Sequence, residues 1–424
     1  MFKITSNYVK LMILASIMVS FVCTCAADVE RPEEIKSKRL VIYSPETYVK
    51  LAEQWKAYYN AYPSEYSYAN WMYAARYADD KDYWELLDKG LEKYPANPTL
   101  LYLKGLKKNG EHNNTEGRRY MEKAAALDPS YTDPWFALIP TYMDAGDEDK
   151  IDDALRKIVE CGIINDEVMD FCYNVMASMD NNGILITNGD NDTYPIWIMQ
   201  RLMNIRPDVV VLNRSLLNTD WYPLYMIEHG APAFTNKAEL TAIRETIKKQ
   251  MEDKNYVVPP SGPFCDTLII KLAETAEREG RPVYISCTAY RTETLKEMDR
   301  NGRNLGLITL VTKTDMPYVD QLRRVYNIWL TKFRTGGLDS WRLQYSPQGD
   351  ASRQLIINYA RRLVGNLDVL KDNAPDLRLD LFNWFLNHLD NSLTENYRTP
   401  IYQAWCKQSD INEIKTWCKQ KGID

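Results

Sequence analysis

The chain has 424 residues, of which 45% are hydrophobic and 26% are charged, a composition typical of globular proteins with two or three domains. Its net charge of −6 argues against a broad nucleic-acid-binding surface. Only three histidines occur, and they form no HExxH motif, so zinc-hydrolase and Ser-His-Asp chemistry are disfavoured.

The first 27 residues have the pattern of an export signal. Two lysines precede an apolar run at 11–22, which is shorter than the roughly 20 residues that span a bilayer. Small residues follow, so we expect cleavage after Ala26 or Ala27 and a location in the periplasm or cell envelope of a Gram-negative bacterium. Acylation of Cys23 or Cys25 is the less favoured alternative, because neither follows a good lipobox. Only such an anchor would make a membrane a partner.

Six cysteines follow the signal. An oxidising compartment permits disulfides between them, but they are too few for a small disulfide-stapled framework. They form no CxxC motif, so neither a redox motif nor a zinc knuckle is indicated, and their pairing stays open. They are Cys161, Cys172, Cys265, Cys287, Cys406 and Cys418.

A sequence repeat occurs early in the chain. Pro63, Pro95 and Pro129 end similar segments at spacings of 32 and 34 residues, the length of a tetratricopeptide (TPR) repeat. Gly105 and Gly117 match small-residue positions in the two helices of one repeat. Because a single helix pair cannot bury its apolar face, several units stack. We therefore expect TPR-like helical repeats that bind a protein partner.

The pattern changes near residue 183 from helical to strand-like. Helical segments alternate with short aliphatic runs, which makes βαβ units. We therefore expect a small parallel-sheet, Rossmann-like α/β domain with helices on both faces. The runs predict four strands at 184–187, 209–212, 283–287 and 307–311.

Helix boundaries are predicted from caps. Asp266 is expected to cap a helix that runs to Gly280, and Gly336-Gly337 to form the C-cap of a helix at 318–334. Further helices are predicted at 351–372, 378–394 and 399–420.

The predicted fold class is therefore α/β plus α. The domains are a signal peptide at 1–27, a TPR-like helical repeat domain at 28–178, an α/β domain at 179–315 and a C-terminal helical region at 316–424.

The segment "NGDNDTYP" follows the first predicted strand. Ligands of open α/β sheets bind at this place, beyond the carboxyl ends of the strands. Asp192 or Thr193 can accept hydrogen bonds from the free N–H groups of a helix that begins near Pro195. Such a cap accounts for the presence of one carboxylate without a ligand or a catalytic role. It does not account for Asp190.

The second strand is followed by further polar residues, which a neighbouring parallel strand would bring near Asp190 and Asp192. The sequence allows three interpretations, in order of preference: a cap-and-turn network, a site for a sugar or another small ligand, and a catalytic or metal site. No cofactor is predicted, although Asp-x-Asp with other oxygen donors can hold a divalent cation. The candidate ligand-binding residues are Asn188, Asp190, Asp192, Thr193, Asn213, Asn218 and Asp220.

Four segments resemble the extracytoplasmic C-terminal region of a family of bacterial multi-pass membrane proteins related to protein O-mannosyltransferases. They are "ILITNGDNDTYPIW", "RPDVVVLNRSLLNTDWY", "RPVYISC" and "LTKFRTGGLDS". The resemblance covers roughly residues 172–365. The family's glycosyl transfer is assigned to a membrane bundle with no counterpart in this sequence, so the resemblance implies a soluble domain and no catalytic residues. The positions that match are Asn188, Gly189, Asp190, Asn191, Asp192, Thr193, Pro195, Asn213, Leu217, Asn218 and Trp221.

Two functional hypotheses follow. The preferred one is an exported, non-enzymatic binding or scaffold protein of the cell envelope, linked to glycan or surface-protein assembly. Its repeats would hold a polypeptide, and its α/β domain would hold a glycan, a small ligand or a second protein. The alternative is a carbohydrate-active or cation-dependent enzyme that uses Asp190 and Asp192, one of them with a raised pKa.

Overall fold

The structure is a computed structural model. It describes residues 29–423 except for 109, 259–261, 290–291, 339, 341, 346–349, 394 and 408. The predicted export signal therefore lies outside the described residues. In the described part of the chain, no helix is both long and apolar enough to cross a membrane.

The chain divides into two compact units. The first contains the described residues up to Ile35 together with Ser44–Leu103, and the second contains Lys36–Tyr43 and the chain from Lys104 onward. Residues 36–43 thus pack with the second unit although the residues on both sides of them belong to the first. This segment is called the strap below.

The first unit is built from helices. Their ends are set by side-chain caps, because the Ser44 hydroxyl accepts a hydrogen bond from Thr47 N, and Ser64 forms a reciprocal capping box with Ser67. Trp55 and Leu87 are fully buried in its core. The helices are α1 (Pro45–Ala61), α2 (Glu65–Tyr77), α3 (Tyr83–Lys93) and most of α4 (Pro98–Gly105).

The second unit begins with helical hairpins where the sequence predicts them. A Cβ on Gly117 would lie 2.7 Å from the carbonyl oxygen of Gly105, so the helices that carry these two glycines cross in close contact. The small residues of the repeat pattern thus have a packing role. The helices are α5 (Thr115–Leu127), α6 (Thr132–Ala145), α7 (Glu148–Glu160) and α8 (Asp166–Ala177).

A five-stranded sheet follows, in the order β2-β1-β3-β5-β4. Strand β1 lies between β2 and β3 and pairs in parallel with both, so the carboxyl ends of these three strands meet at one edge. All four residues of β1 and of β3 are buried. The strands are β1 (Ile184–Thr187), β2 (Val210–Asn213), β3 (Val283–Ser286), β4 (Arg303–Asn304) and β5 (Ile308–Leu310).

The sheet is mixed, and the all-parallel prediction is wrong for its last strand. The strand expected at 307–311 is β5, which runs antiparallel to β3. The two-residue strand β4 pairs with it as a hairpin whose turn contains Gly306 at a φ of +85°. This hairpin reverses the chain before β5, and β4 is too short for its pattern to predict it.

The helices between the strands surround the segments that carry the candidate site. They are α9 (Asp190–Met203), α10 (Tyr222–Glu228), α11 (Lys237–Met251), α12 (Cys265–Arg278) and α13 (Glu293–Asn301).

The C-terminal part is helical, as predicted, but two of the predicted helices are each divided in two. A disulfide between Cys406 and Cys418 links the last two helices. The helices are α14 (Tyr318–Lys332), α15 (Arg342–Tyr345), α16 (Ala351–Val364), α17 (Leu367–Asn373), α18 (Pro375–His388), α19 (Glu395–Lys407) and α20 (Asn412–Gln420).

Two predicted caps are wrong. Asp266 lies inside α12, and the Asn218 side chain instead accepts hydrogen bonds from Phe264 N and Cys265 N at the start of that helix. The glycine pair is not a C-cap of α14, which ends at Lys332. A Cβ on Gly337 would lie 2.3 Å from Glu167 Cα, so this glycine lets the chain approach the backbone of α8.

The helix crossing at Gly117 can be tested by Gly117→Ala. Alanine is better than glycine inside a helix by about 1 kcal/mol, but the added methyl would meet the Gly105 carbonyl. We expect the clash to dominate and the free energy of unfolding to fall by about 1–3 kcal/mol in chemical denaturation. Gly336→Ala is the control, because its methyl would meet no atom nearer than 3.9 Å. Equal effects of the two variants would contradict the close crossing.

Candidate functional site

Asp192 folds back onto the backbone that precedes its own helix. It is the third residue of α9, and its carboxylate accepts hydrogen bonds of 2.8 Å from both Asn188 N and Gly189 N. The hydroxyl of Thr288, just beyond the end of β3, donates to the same carboxylate. Asp192 is only 4% exposed. It therefore fastens the turn between β1 and α9 and ties that turn to the end of β3.

Burial raises the pKa of Asp192 above its ordinary value, while the Thr288 hydroxyl and the two backbone N–H groups act in the opposite direction. Both carboxylate oxygens accept hydrogen bonds from protein donors. A cation at Asp192 would have to displace these donors.

Asp190 has a different environment. It is the first residue of α9, its side chain is 41% exposed, and it forms an ion pair of 2.9 Å with Arg39 of the strap. Arg39 also pairs at 2.9 Å with Asp133, whose side chain is fully buried, and its guanidinium lies 4.4 Å from the centre of the Phe136 ring. Asp190, to which the turn gives no structural role, is thus one of the two carboxylates that pair with Arg39.

The polar residues at the end of β2 form a buried network around Thr193. The hydroxyls of Thr193 and Thr187 lie 2.6 Å apart, and the Asn213 amide donates to Thr193 Oγ1 at 3.2 Å. Asn213 Oδ1 accepts from Ser215 N, and the Ser215 hydroxyl donates to Asn188 O. Thr193 and Asn213 are at most 2% exposed. Asn188, Thr193 and Asn213 therefore hold neighbouring strand ends together.

The remaining two candidate residues belong to other contacts. Asn218 caps α12, as described above. Asp220 is 70% exposed and pairs at 3.0 Å with Arg244 of α11, whose guanidinium lies 4.4 Å from the Phe264 ring centre. The single polar cluster expected from the sequence is therefore divided, because Asn218 and Asp220 make their contacts with α12 and α11.

A pocket of about 100 Å³ lies beside Asp190. Three helix N-termini converge on it: that of α8 with Asn165, that of α9 with Asp190 and Asn191, and that of α16 with Asp350 and Ser352. The strap adds two further residues to the lining. The two guanidinium groups in the lining of the pocket are those of Arg39 and Arg342. The apolar part of the lining consists of Leu40, Phe136, Ile163, Ile164, Val168 and Pro195.

The charges around the pocket nearly balance. Arg342 pairs with the buried Glu167 and, at 3.3 Å, with Asp350, in the same way that Arg39 joins Asp133 and Asp190. Two arginines thus face four carboxylates, and three helix N-termini each add about half a positive charge. The field therefore favours neither a strongly anionic nor a strongly cationic ligand.

Hydroxyl and amide groups complete the polar part of the pocket. The Ser352 hydroxyl accepts hydrogen bonds from Asn165 Nδ2 at 3.1 Å and from Arg342 Nη2 at 3.3 Å. The Asn191 amide donates to Arg39 O at 3.2 Å, which fixes the strap above α9. The pocket thus offers donors and acceptors next to apolar side chains, as small-molecule sites do.

The sequence does not predict most of this pocket. It identified Asp190, but Arg39, Phe136, Arg342 and Asp350 are distant in sequence and carry no motif. Thr288 could have been found, because it follows β3 at the edge where the strand ends meet. In the described part of the chain, His, Cys, Asp and Glu side chains form no group of three that could hold a metal ion.

Comparison with known proteins identifies one region. Residues 168–258 match the family model called TMEM260-associated domain 2. The match begins in α8, extends beyond the end of α11 and contains the whole β1–α9 turn. It is consistent with the resemblance to the O-mannosyltransferase-related region. Val168, Asp190, Asn191 and Pro195 of the pocket lie within it. Among curated proteins, none matches the chain.

The different roles of the two aspartates predict different effects on stability. Asp192→Asn replaces one accepting oxygen by an NH₂ group that faces protein donors, so we expect a loss of about 1–3 kcal/mol in the free energy of unfolding. Asp190→Asn breaks a half-exposed ion pair and should cost at most about 1 kcal/mol. Chemical denaturation of both variants at neutral pH is the measurement. A larger loss for Asp190→Asn would contradict these assignments.

The raised pKa of Asp192 predicts a pH dependence. The folded protein binds the carboxyl proton more tightly than the unfolded chain, so this contribution to stability is fully present below the unfolded pKa of about 3.9. It is lost as the pH rises through the higher folded pKa. The stability of the wild type relative to Asp192→Asn should therefore decrease over that rise, as measured by denaturation at a series of pH values. An increase would show that the fold favours the ionised carboxylate.

Proposed function

We propose that the protein is an exported, non-enzymatic binding protein of the cell envelope. Its second unit holds a small, hydroxyl-bearing ligand such as a sugar residue in the pocket at Asp190, and its TPR-like helix pairs hold a polypeptide. A protein that binds both a sugar and a polypeptide would take part in glycan or surface-protein assembly. The observation that carries the proposal is the pocket itself, because it places Asp190 beside apolar side chains and three helix N-termini.

The lining of the pocket supports an uncharged polar ligand. A sugar residue has a hydroxyl edge and an apolar face, and the pocket has both a polar part and an aliphatic and aromatic part. Asp190 is the only one of the four carboxylates around the pocket with a substantially exposed side chain, so it is the one that can turn from Arg39 to a ligand hydroxyl.

A binding role is also supported by the way the aspartates are used. Asp192 accepts hydrogen bonds from two backbone N–H groups and from the Thr288 hydroxyl, so this carboxylate is not placed as an unoccupied acid or base. The observation that favours the enzymatic alternative is the raised pKa of Asp192 next to the Thr288 hydroxyl, since a carboxyl with a raised pKa is suited to proton transfer. Loss of a measured turnover in Asp192→Asn, with ligand binding retained, would establish that alternative.

The ligand proposal is tested by Asp190→Asn. A panel of monosaccharides is screened against the full chain by saturation-transfer NMR, and Kd is measured for each sugar that binds. A hydrogen bond to a charged group contributes about 1.5–3 kcal/mol, so we expect Asp190→Asn to weaken binding by at least about tenfold. Asp220→Asn is the matched control, because Asp220 also pairs with an arginine but lies outside the pocket, and it should leave Kd unchanged.

Two results would contradict this proposal. One is that no sugar of the panel binds to the full chain. The other is that both aspartate variants bind with the wild-type Kd, which would place the sugar elsewhere.

A further inference from the structure

The strap forms part of the wall of the candidate pocket and is joined to the rest of the second unit by polar contacts. The Ser37 hydroxyl donates to Asp133 at 2.5 Å, and the Arg39 guanidinium pairs with both Asp133 and Asp190 at 2.9 Å. The Arg39 carbonyl also accepts a hydrogen bond of 3.2 Å from the Asn191 amide. Arg39 therefore joins the strap both to a buried carboxylate and to a carboxylate of the pocket.

The two carboxylates that pair with Arg39 differ in how easily they can change partner. The Asp133 side chain is fully buried and also accepts a hydrogen bond from Ser37, whereas the Asp190 side chain is 41% exposed. A buried carboxylate that loses its cation is strongly destabilised, but an exposed ion pair contributes little. A ligand hydroxyl at Asp190 would therefore displace the guanidinium from Asp190 and leave Arg39 paired with Asp133.

The attachment of the strap depends on few of its residues. Beyond Arg39, the buried Val41 forms an antiparallel bridge with Asp350, and this bridge is isolated, so no strand pairing extends it. On both sides of the strap the chain continues into the first unit, at Ile35 and at Ser44. Neither end of the strap is thus continuous with the second unit, and a loss of one Arg39 contact should loosen the segment.

We propose that the strap is a lid over the pocket and that its Arg39 competes with the ligand for Asp190. When a ligand hydroxyl donates to Asp190, the Arg39–Asp190 pair breaks, Arg39 stays with Asp133, and the strap is held less firmly. Occupancy of the pocket is in this way transmitted to a segment that continues into the first unit. This inference rests on the proposed function, because it needs a hydroxyl-bearing ligand at Asp190.

Two amides inside the strap report how firmly it is held. Leu40 N and Val41 N both donate to Ser37 O, at 2.9 and 3.1 Å. When the strap detaches, this turn loses its support and the two amides exchange with solvent more quickly. Their hydrogen exchange is followed by mass spectrometry of the full chain, first without sugar and then with the tightest binder among D-glucose, D-galactose and D-mannose.

The exchange experiment makes the same prediction for a variant and for the bound sugar. Without sugar, Asp190→Asn removes one partner of Arg39 and should speed exchange in the strap by about two- to fivefold, the range that an exposed ion pair supports. A saturating concentration of the sugar should produce a similar increase in the wild type. Asp220→Asn is the matched control, because Asp220 pairs with an arginine outside the pocket, and it should leave this exchange unchanged.

Arg39→Lys distinguishes a competitor from a residue that binds the ligand. Lysine keeps the charge that Asp133 needs, but it lacks the planar fork through which arginine pairs with two carboxylates. Asp190 is then available to the sugar, so Kd should fall by about two- to fivefold. Arg244→Lys is the matched control and should leave Kd unchanged. Like Arg39, Arg244 pairs with an aspartate and lies 4.4 Å from a phenylalanine ring centre, but it is outside the pocket.

Three results would overturn the inference. Asp190→Asn leaves exchange in the strap unchanged, the bound sugar does not speed this exchange in the wild type, or a folded Arg39→Lys does not bind the sugar more tightly. If Arg39→Lys binds it more weakly, Arg39 is a ligand contact and the proposed function stands without the lid. Should Arg39→Lys unfold, the exchange of the wild type with and without sugar decides. If no sugar binds, the proposed function fails and this inference fails with it.

Discussion

Arg39 is the residue on which the candidate site depends. Its guanidinium joins Asp133, which is fully buried, to Asp190 at the first position of α9, and it lies against the Phe136 ring. Removing one partner of a buried ion pair costs about 3–5 kcal/mol, because the other charge is left in a poorly solvated place. The arginine therefore holds the strap on the second unit, and the strap forms one wall of the pocket. One wall of the pocket thus depends on a segment far away in the sequence, which supplies the counter-charge of the buried Asp133.

The polar groups at the strand ends are of two kinds: buried groups with a structural role, and exposed groups that a ligand can reach. Asp192, Thr193 and Asn213 are buried and satisfied by neighbouring backbone and hydroxyl groups, so they join β1, β2 and β3 at their carboxyl ends. Asp190 remains partly exposed because it is the first residue of its helix and its partner comes from outside the sheet. The two aspartates of the β1–α9 turn thus have different roles. Asp192 stabilises the edge of the sheet, and Asp190 faces the pocket.

The fold could be predicted from the sequence wherever a local pattern determines structure. The aliphatic runs of β1, β2 and β3 and the glycine spacing of the helical hairpins have direct physical causes, namely burial on both faces and close helix approach. The direction of β5 could not be predicted, because it depends on a hairpin with a strand of only two residues. The caps at Asp266 and Gly336-Gly337 failed for another reason: Asn218 and the backbone of α8 compete for these positions, and tertiary contacts override local propensity. In the site, Asp190 was recognisable as surplus, but its partner in the strap has no sequence signal.

The pocket at Asp190 is the proposed ligand site. The most direct measurement is a crystal structure of the protein purified from its native source without added ligand. We expect a small hydroxyl-bearing molecule in the pocket, with one of its hydroxyls within hydrogen-bond distance of Asp190 and another near Ser352. A pocket that holds only water, with Asp190 still paired to Arg39 and a ligand bound elsewhere on the chain, would contradict it.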